Sequence, residues 1–136
     1  KLEITESAVM RDFEVTLGLL NRLRAIGAGL SLDDFGTGYS SLSLLKRLPI
    51  DTLKVDRSFV SSMVADSAGV RMVEAILQLA RLFRLKVVAE GIERNEESEL
   101  LKALSCEYGQ GWLFGKPLTP DACMERLLKR EKAVAS

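Results

Sequence analysis

Short apolar runs alternate with helix-period segments five times along this chain, and that alternation limits the folds open to it. The runs are Leu2–Glu6, Ala28–Asp33, Thr52–Asp56, Leu85–Ala89 and Tyr108–Phe114. Each is short, rich in branched or aromatic residues, and bounded by polar or glycine positions, which reads as a strand. Between the first two, Ser7 is placed to cap a helix in which Phe13, Leu17, Leu20, Leu23 and Ile26 recur at helical spacing, with Gly27 as its stop. Leu42, Leu45 and Leu48 mark a short helix that ends before Pro49. Val70, Val73, Ile76, Leu77, Ala80 and Phe83 mark a long amphipathic one. Glu96 to Leu104 forms another, and Thr119-Pro120-Asp121 opens a last helix that runs to about Arg130. A helix between successive strands implies parallel pairing, because antiparallel neighbours need only a tight turn.

In parallel α/β folds, ligands lie beyond the carboxyl ends of the strands. Those ends here carry Glu3 and Glu6, Asp33 and Asp34, Lys54 and Asp56, Glu90, and Gln110. The densest stretch is Leu30-Ser31-Leu32-Asp33-Asp34-Phe35-Gly36-Thr37-Gly38-Tyr39-Ser40-Ser41, two acids at the end of a strand followed by a glycine loop. Adjacent carboxylates beside a loop free to take unusual backbone angles suit a divalent metal site.

The chain contains no histidine, which excludes a Ser-His or Cys-His pair within it and any histidine metal site. Oxygen-only donors favour hard cations such as Mg²⁺ or Mn²⁺. Basic and acidic residues balance at 19 each, so nothing predicts attraction to a DNA or RNA polymer or to an acidic membrane surface. No apolar run is long enough to span a bilayer. Cys106 and Cys123 lack metal-type spacing and are expected to be free thiols of a reducing, cytoplasmic compartment.

Five β/α units do not close an eight-stranded barrel, so the sheet is either open or the later part of such a barrel; the strand-like start at Lys1 leads us to expect the second. Leu2-Glu3-Ile4-Thr5-Glu6-Ser7, Leu32-Asp33-Asp34-Phe35-Gly36-Thr37-Gly38-Tyr39-Ser40-Ser41, Leu53-Lys54-Val55-Asp56-Arg57-Ser58-Phe59-Val60, Val88-Ala89-Glu90-Gly91-Ile92-Glu93 and Gln110-Gly111-Trp112-Leu113-Phe114-Gly115-Lys116-Pro117 resemble the EAL-domain family, in family order. Members are cyclic di-GMP phosphodiesterases of bacterial signalling proteins. The resemblance implies that residues 1–132 are the C-terminal five β/α units of a (β/α)8 TIM-type barrel; past the last helix, 133–136 are expected to form a disordered tail. The glutamate of the family's name-giving Glu-Ala-Leu motif, and an asparagine metal ligand, belong to earlier strands that this chain does not contain.

By the same resemblance, Glu3 and Asp33 are expected to be shared metal ligands, with Asp34 and Glu90 serving a second Mg²⁺ or Mn²⁺. Lys54 is expected beside the attacking water, with Glu90 as a further candidate to deprotonate it. Glu6 would steady the Asp33–Ser41 loop, Gln110 and Asp34 would face substrate, and Trp112, Phe114 and Pro117 would wall a guanine pocket. The implied reaction is hydrolysis of cyclic di-GMP to linear pGpG. The alternatives are a catalytically inactive receptor for the dinucleotide or a protein and, from the residues alone, a metal-dependent carbon–carbon or isomerase barrel. Homodimerisation near the 33–41 loop, an upstream sensory or GGDEF-type domain and a membrane-anchored parent are family expectations.

Overall fold

The computed structural model describes residues 1–36 and 42–134, with side chains through Leu128. Five strands form one sheet: β1 (Leu2–Thr5), β2 (Leu30–Phe35), β3 (Thr52–Val55), β4 (Lys86–Ala89) and β5 (Tyr108–Gly109). Around them run α1 (Glu6–Arg11), α2 (Phe13–Ala25), α3 (Leu42–Leu45), α4 (Arg57–Ala65), α5 (Ser67–Leu82), α6 (Asn95–Ala103) and α7 (Pro120–Val134). All strand pairs are parallel, and their spatial order is the sequence order β1-β2-β3-β4-β5. A doubly wound sheet would reverse direction at a switch point; this one progresses only one way, as an arc of a TIM-type barrel does.

Alternation along the strands assigns the two faces. Leu30, Leu32, Phe35, Leu53, Val55, Val87 and Ala89 are buried in one core with Val60, Met63, Val73, Ile76, Leu77 and Ala80 from α4 and α5. The opposite face carries Glu3, Ser31, Asp33, Thr52 and Lys54, and the register sets Glu3 beside Ser31 and Ser31 beside Thr52. Helices thus cover one side, while polar groups gather on the other and at the strands' C-terminal ends.

At the N-terminal ends, Asp51 ties several elements together. Its carboxylate accepts from the Leu30 N–H (3.1 Å) and the Thr52 hydroxyl (2.9 Å), and pairs with Lys1 (3.0 Å) and Arg24 (2.9 Å). Its carbonyl accepts from the Lys86 N–H at 3.0 Å, so β2, β3 and β4 share one anchor. The hydrogen bonds hold the Asp51 carboxyl down at about 2, against the opposing effect of burial.

The structure departs from the sequence expectations at several elements. The single helix expected from Ser7 to Gly27 is two, because the Asp12 side chain accepts from the Val15 N–H and starts α2 afresh. Thr5, not Ser7, caps α1, and Ser7 lies within it. Helix α4 was not expected; Asp56 caps it by accepting from the Ser58 N–H at 2.9 Å. β2 runs on to Phe35, and β5 stops at Gly109 instead of reaching Phe114. Past Gly109 the backbone bonds to Ile92 instead (Ile92 N–H to Gln110 carbonyl 3.1 Å, Leu113 N–H to Ile92 carbonyl 3.0 Å), and Gly111 lies so close there that a Cβ would come within 2.0 Å of the Ile92 carbonyl oxygen. α7 extends through Val134, past the expected onset of a tail, and residues 135–136 lie outside the described residues. Among the described residues no helix is long and apolar enough to cross a membrane, and both cysteines are free thiols.

Candidate metal and phosphodiester site

Two neighbouring strand residues normally point to opposite faces, so Asp33 and Asp34 should not meet at one ligand. Between Leu32 and Phe35 the register with β3 slips: Leu32 pairs with Leu53, yet Phe35 pairs with Val55. One extra residue is therefore inserted into β2, a β-bulge, and Asp34 takes the left-handed conformation with φ 54°. Bulges re-aim side chains. Here the result is that Asp33, Asp34 and Glu90 each offer a carboxylate oxygen within 4.8 Å of the others.

Lys54, 4% exposed, stands at the centre of the acids. Its ammonium lies 2.8 Å from Glu3, 3.1 Å from Asp33 and 2.7 Å from Glu90. Three donors meet three carboxylates, which satisfies the group completely. Burial disfavours the charged ammonium, but the hydrogen bonds it donates to Glu3, Glu90 and Asp33 outweigh it and raise its pKa above the ordinary lysine value. The lysine is therefore a fixed cation, not a snorkelling surface residue. Glu90 is pushed upward, by burial first and by the nearby Asp33 charge, while Lys54 pulls the other way. The Gln110 amide donates to the Glu90 carboxylate at 2.5 Å.

The loop after β2 begins on a fixed footing. Glu6, 1% exposed, accepts from the Gly36 N–H at 2.9 Å. Gly36 has φ +96°, and a Cβ there would sit 2.8 Å from the Phe59 ring, so only glycine fits. Residues 37–41, where loop regulation and dimer contacts are expected, lie outside the described residues.

Beside the acids lies a hollow of about 470 Å³, lined by Arg57, Glu93, Gln110, Trp112, Lys116 and Pro117 among others, within the size range of small-ligand pockets. Arg57 and Glu93 close one wall as a two-point ion pair (3.0 and 3.1 Å). Lys116 lies over the exposed Trp112 ring, 5.3 Å from its centre. Of the aromatic and proline residues expected to wall a pocket, Trp112 and Pro117 do line this one, whereas Phe114 lines a separate hollow beside Tyr108 and Leu101.

The fold thus brings Glu3, Asp33, Asp34, Lys54, Glu90 and Gln110 into one connected set, with Glu6 behind it at the loop's base. Glu3 reaches the set through Lys54 and is not one of the three clustered carboxylates. Sequence reasoning missed the Arg57–Glu93 pair and buried Glu97, which accepts from the Glu93 and Arg94 N–H groups and holds the loop after β4. Arg94 has no acceptor to complete a capping box, so the sequence carried no capping signal for Glu97.

The donor set is all oxygen and anionic, with one fixed cation beside it, which fits a hard divalent ion and a phosphate ester. Comparison with known proteins agrees with that chemistry. The chain is 48% identical over 129 residues to the cyclic di-GMP phosphodiesterase NbdA of Pseudomonas aeruginosa, covering 95% of this chain and 16% of NbdA. It is 50% identical over 117 residues to MucR of the same organism, a bifunctional diguanylate cyclase/cyclic di-GMP phosphodiesterase, covering 86% of this chain and 17% of MucR. The MucR phosphodiesterase solved in complex with c-di-GMP superposes with a TM-score of 0.85 at 48% identity, over 90% of this chain and 49% of that one. BlrP1 of Klebsiella pneumoniae, solved with manganese and cyclic di-GMP, gives a TM-score of 0.79 at 36% identity, over 85% of this chain and 29% of that one. The chain therefore spans about a sixth of the curated relatives' length and about half of the solved MucR chain. The EAL domain family model matches residues 1–117, and with these identities the chain belongs to the EAL domain family.

Proposed function

We propose that this chain is the C-terminal part of a metal-dependent phosphodiesterase that hydrolyses cyclic di-GMP to linear pGpG. The observation that carries the reading is the bulged Asp33-Asp34 pair meeting Glu90 around the buried Lys54 ammonium, at the C-terminal ends of parallel strands. Asp33, Asp34 and Glu90, with Glu3 next to them, would hold Mg²⁺ or Mn²⁺, two ions in the complete site. Such a cation, when bound, polarises the phosphoryl oxygen and makes water more acidic.

The chain's own groups supply the rest. Lys54 keeps its charge, and the field of that fixed ammonium stabilises the negative charge that builds on the phosphoryl oxygens. Glu90 lies at the acids as the further group to take up the proton of the attacking water, and the Gln110 amide fixes its orientation. Glu6 steadies the loop behind Asp34 through Gly36. The hollow at Trp112 and Pro117 takes a guanine, with Gln110 on its wall, and Asp34 faces the substrate from the acids. The complete protein works in the cytoplasm, as a homodimer through the region near residues 33–41 and with sensory or GGDEF-type domains upstream; membrane attachment of the whole is compatible with this. Ligands supplied by earlier strands are required, so the isolated 136 residues do not turn over substrate.

The test is turnover by the full-length protein with Mg²⁺ or Mn²⁺ and cyclic di-GMP, following pGpG by chromatography. We expect product from the natural sequence and none from Asp33→Asn or Glu90→Gln. Tight dinucleotide binding without turnover in either metal would refute the enzyme and leave a receptor.

A further inference from the structure

A second hollow, of 310 Å³, lies at the N-terminal end of β4, the opposite end of the sheet from the carboxylates. It sits where α5 and α6 finish. Arg81, Arg84, Lys86 and Ser105 line it, with Glu107 as the one acid. Leu77, Leu85 and Val87 give it an apolar floor. All of these residues come from two successive β/α units.

Two helix C-termini favour nearby cations, which is the ordinary reason to find arginine here. Arg81 fills that role, donating to the carbonyls of Leu104 (2.9 Å) and Ser105 (3.3 Å). Arg84 and Lys86 do not. Among the described residues neither side chain has a hydrogen-bond or ion-pair partner, and Glu107 pairs with neither. Two further cations therefore line one hollow without a protein partner among the described residues.

The backbone adds an independent observation. Helices α2, α5 and α6 end alike, with paired bonds closing the last turn: Gly27 and Ala28 to Arg24 and Leu23, Arg84 and Leu85 to Arg81 and Ala80, Ser105 and Cys106 to Lys102 and Leu101. Such an ending puts one residue in the left-handed region, where glycine is favoured. α2 uses Gly27 (φ 87°); α5 uses Arg84 (φ 57°) and α6 uses Ser105 (φ 59°). Asp34, at the carboxylate cluster, is the other non-glycine residue in this region among those described. Strained non-glycine positions cluster at functional sites. Two of these three flank this hollow, and each puts a phosphate-binding type of side chain at its edge.

We propose that this hollow binds a small organic phosphate, with Arg84, Lys86 and Ser105 holding the phosphate and the apolar floor taking the organic part. The site is separate from the phosphodiester site and does not depend on that reading.

The test is an amide NMR titration of the full-length protein with phenyl phosphate, inorganic phosphate and benzyl alcohol, following Arg84, Lys86 and Ser105. We expect saturable shifts with phenyl phosphate, weaker binding of inorganic phosphate, and none with benzyl alcohol. Arg84→Gly keeps the left-handed turn, so its melting temperature should rise while affinity for phenyl phosphate falls about tenfold, the loss of one charge-assisted hydrogen bond. Lys86→Gln should lose affinity similarly without that rise in melting temperature. Non-saturating shifts, or a glycine variant that binds like the natural protein, would overturn the proposal, and equal affinity for inorganic phosphate would overturn its organic half.

Discussion

Asp51 offers a quantitative test of how the sheet is anchored. Its carboxyl is lowered from an ordinary 3.8 to about 2 by Lys1, Thr52 and the Leu30 N–H, and 28% of its side chain is exposed. A depressed carboxylate contributes stability that is present above the unfolded pKa and lost as pH falls through the folded one. The shift corresponds to about 2.5 kcal/mol at pH 7, by linkage at roughly 1.4 kcal/mol per unit of pKa. The same relation leaves about 1 kcal/mol at pH 3 and a few tenths at pH 2. Asp51→Asn retains an acceptor for the Leu30 N–H but removes the charge. Its deficit against the natural protein, measured by urea unfolding across that range, should follow these values downward. Taking the difference between the two proteins cancels the titration of all other carboxylates. A deficit that is the same at pH 7 and pH 3 would show that the charge of Asp51 is not what anchors the strands.

Other expectations concern the site. Lys54→Met leaves Asp33 and Glu90 without their cation, and breaking a buried pair in this way costs about 3 kcal/mol, which urea unfolding in chelator would measure; no loss would mean that the lysine does not hold the acids. Gly36→Ala adds a Cβ against Phe59 at φ +96°, so a loss of about 1–3 kcal/mol is expected, with reduced turnover because the Glu6 bond shifts. Removing divalent ions with chelator should abolish pGpG formation, with recovery on adding Mn²⁺. Burial raises the Cys106 thiol pKa, so at neutral pH iodoacetamide should modify exposed Cys123 first, as peptide mass spectrometry would reveal.

The β/α alternation was legible because strands of four to six residues and helices with period-3.6 stripes leave different marks, and β1 to β4 fall within two residues of where the sequence put them. Boundaries failed where a single side chain decides them. Asp12 interrupts an apolar stripe that continues on both sides, so periodicity alone fused α1 with α2. Arg57–Ala65 shows Phe59, Val60 and Met63 at helical spacing, and Asp56 before it was a usable cap signal. β5 ends early because of a contact with Ile92, far off in sequence. The identities of the acids at the strand ends were readable, and the family resemblance implied that they meet; the geometry that joins them was not readable. Lys54 reaches Glu3 from 51 residues away, and the slip that brings Asp34 round depends on pairing with β3.

That slip also settles where Phe35 goes. Without the extra residue, Phe35 would lie on the polar face; with it, the ring is 7% exposed and packs beside Val55 in the helix-facing core. Burying a phenylalanine is worth about 2–3 kcal/mol, against about 1–2 kcal/mol for one non-glycine residue in the left-handed region. The hydrophobic gain is the larger, so an aromatic ring on the far side of the sheet keeps two neighbouring acids pointing the same way. Trimming Phe35 to alanine would act on the carboxylates without touching them, by letting the strand straighten and turning Asp34 away from its partners.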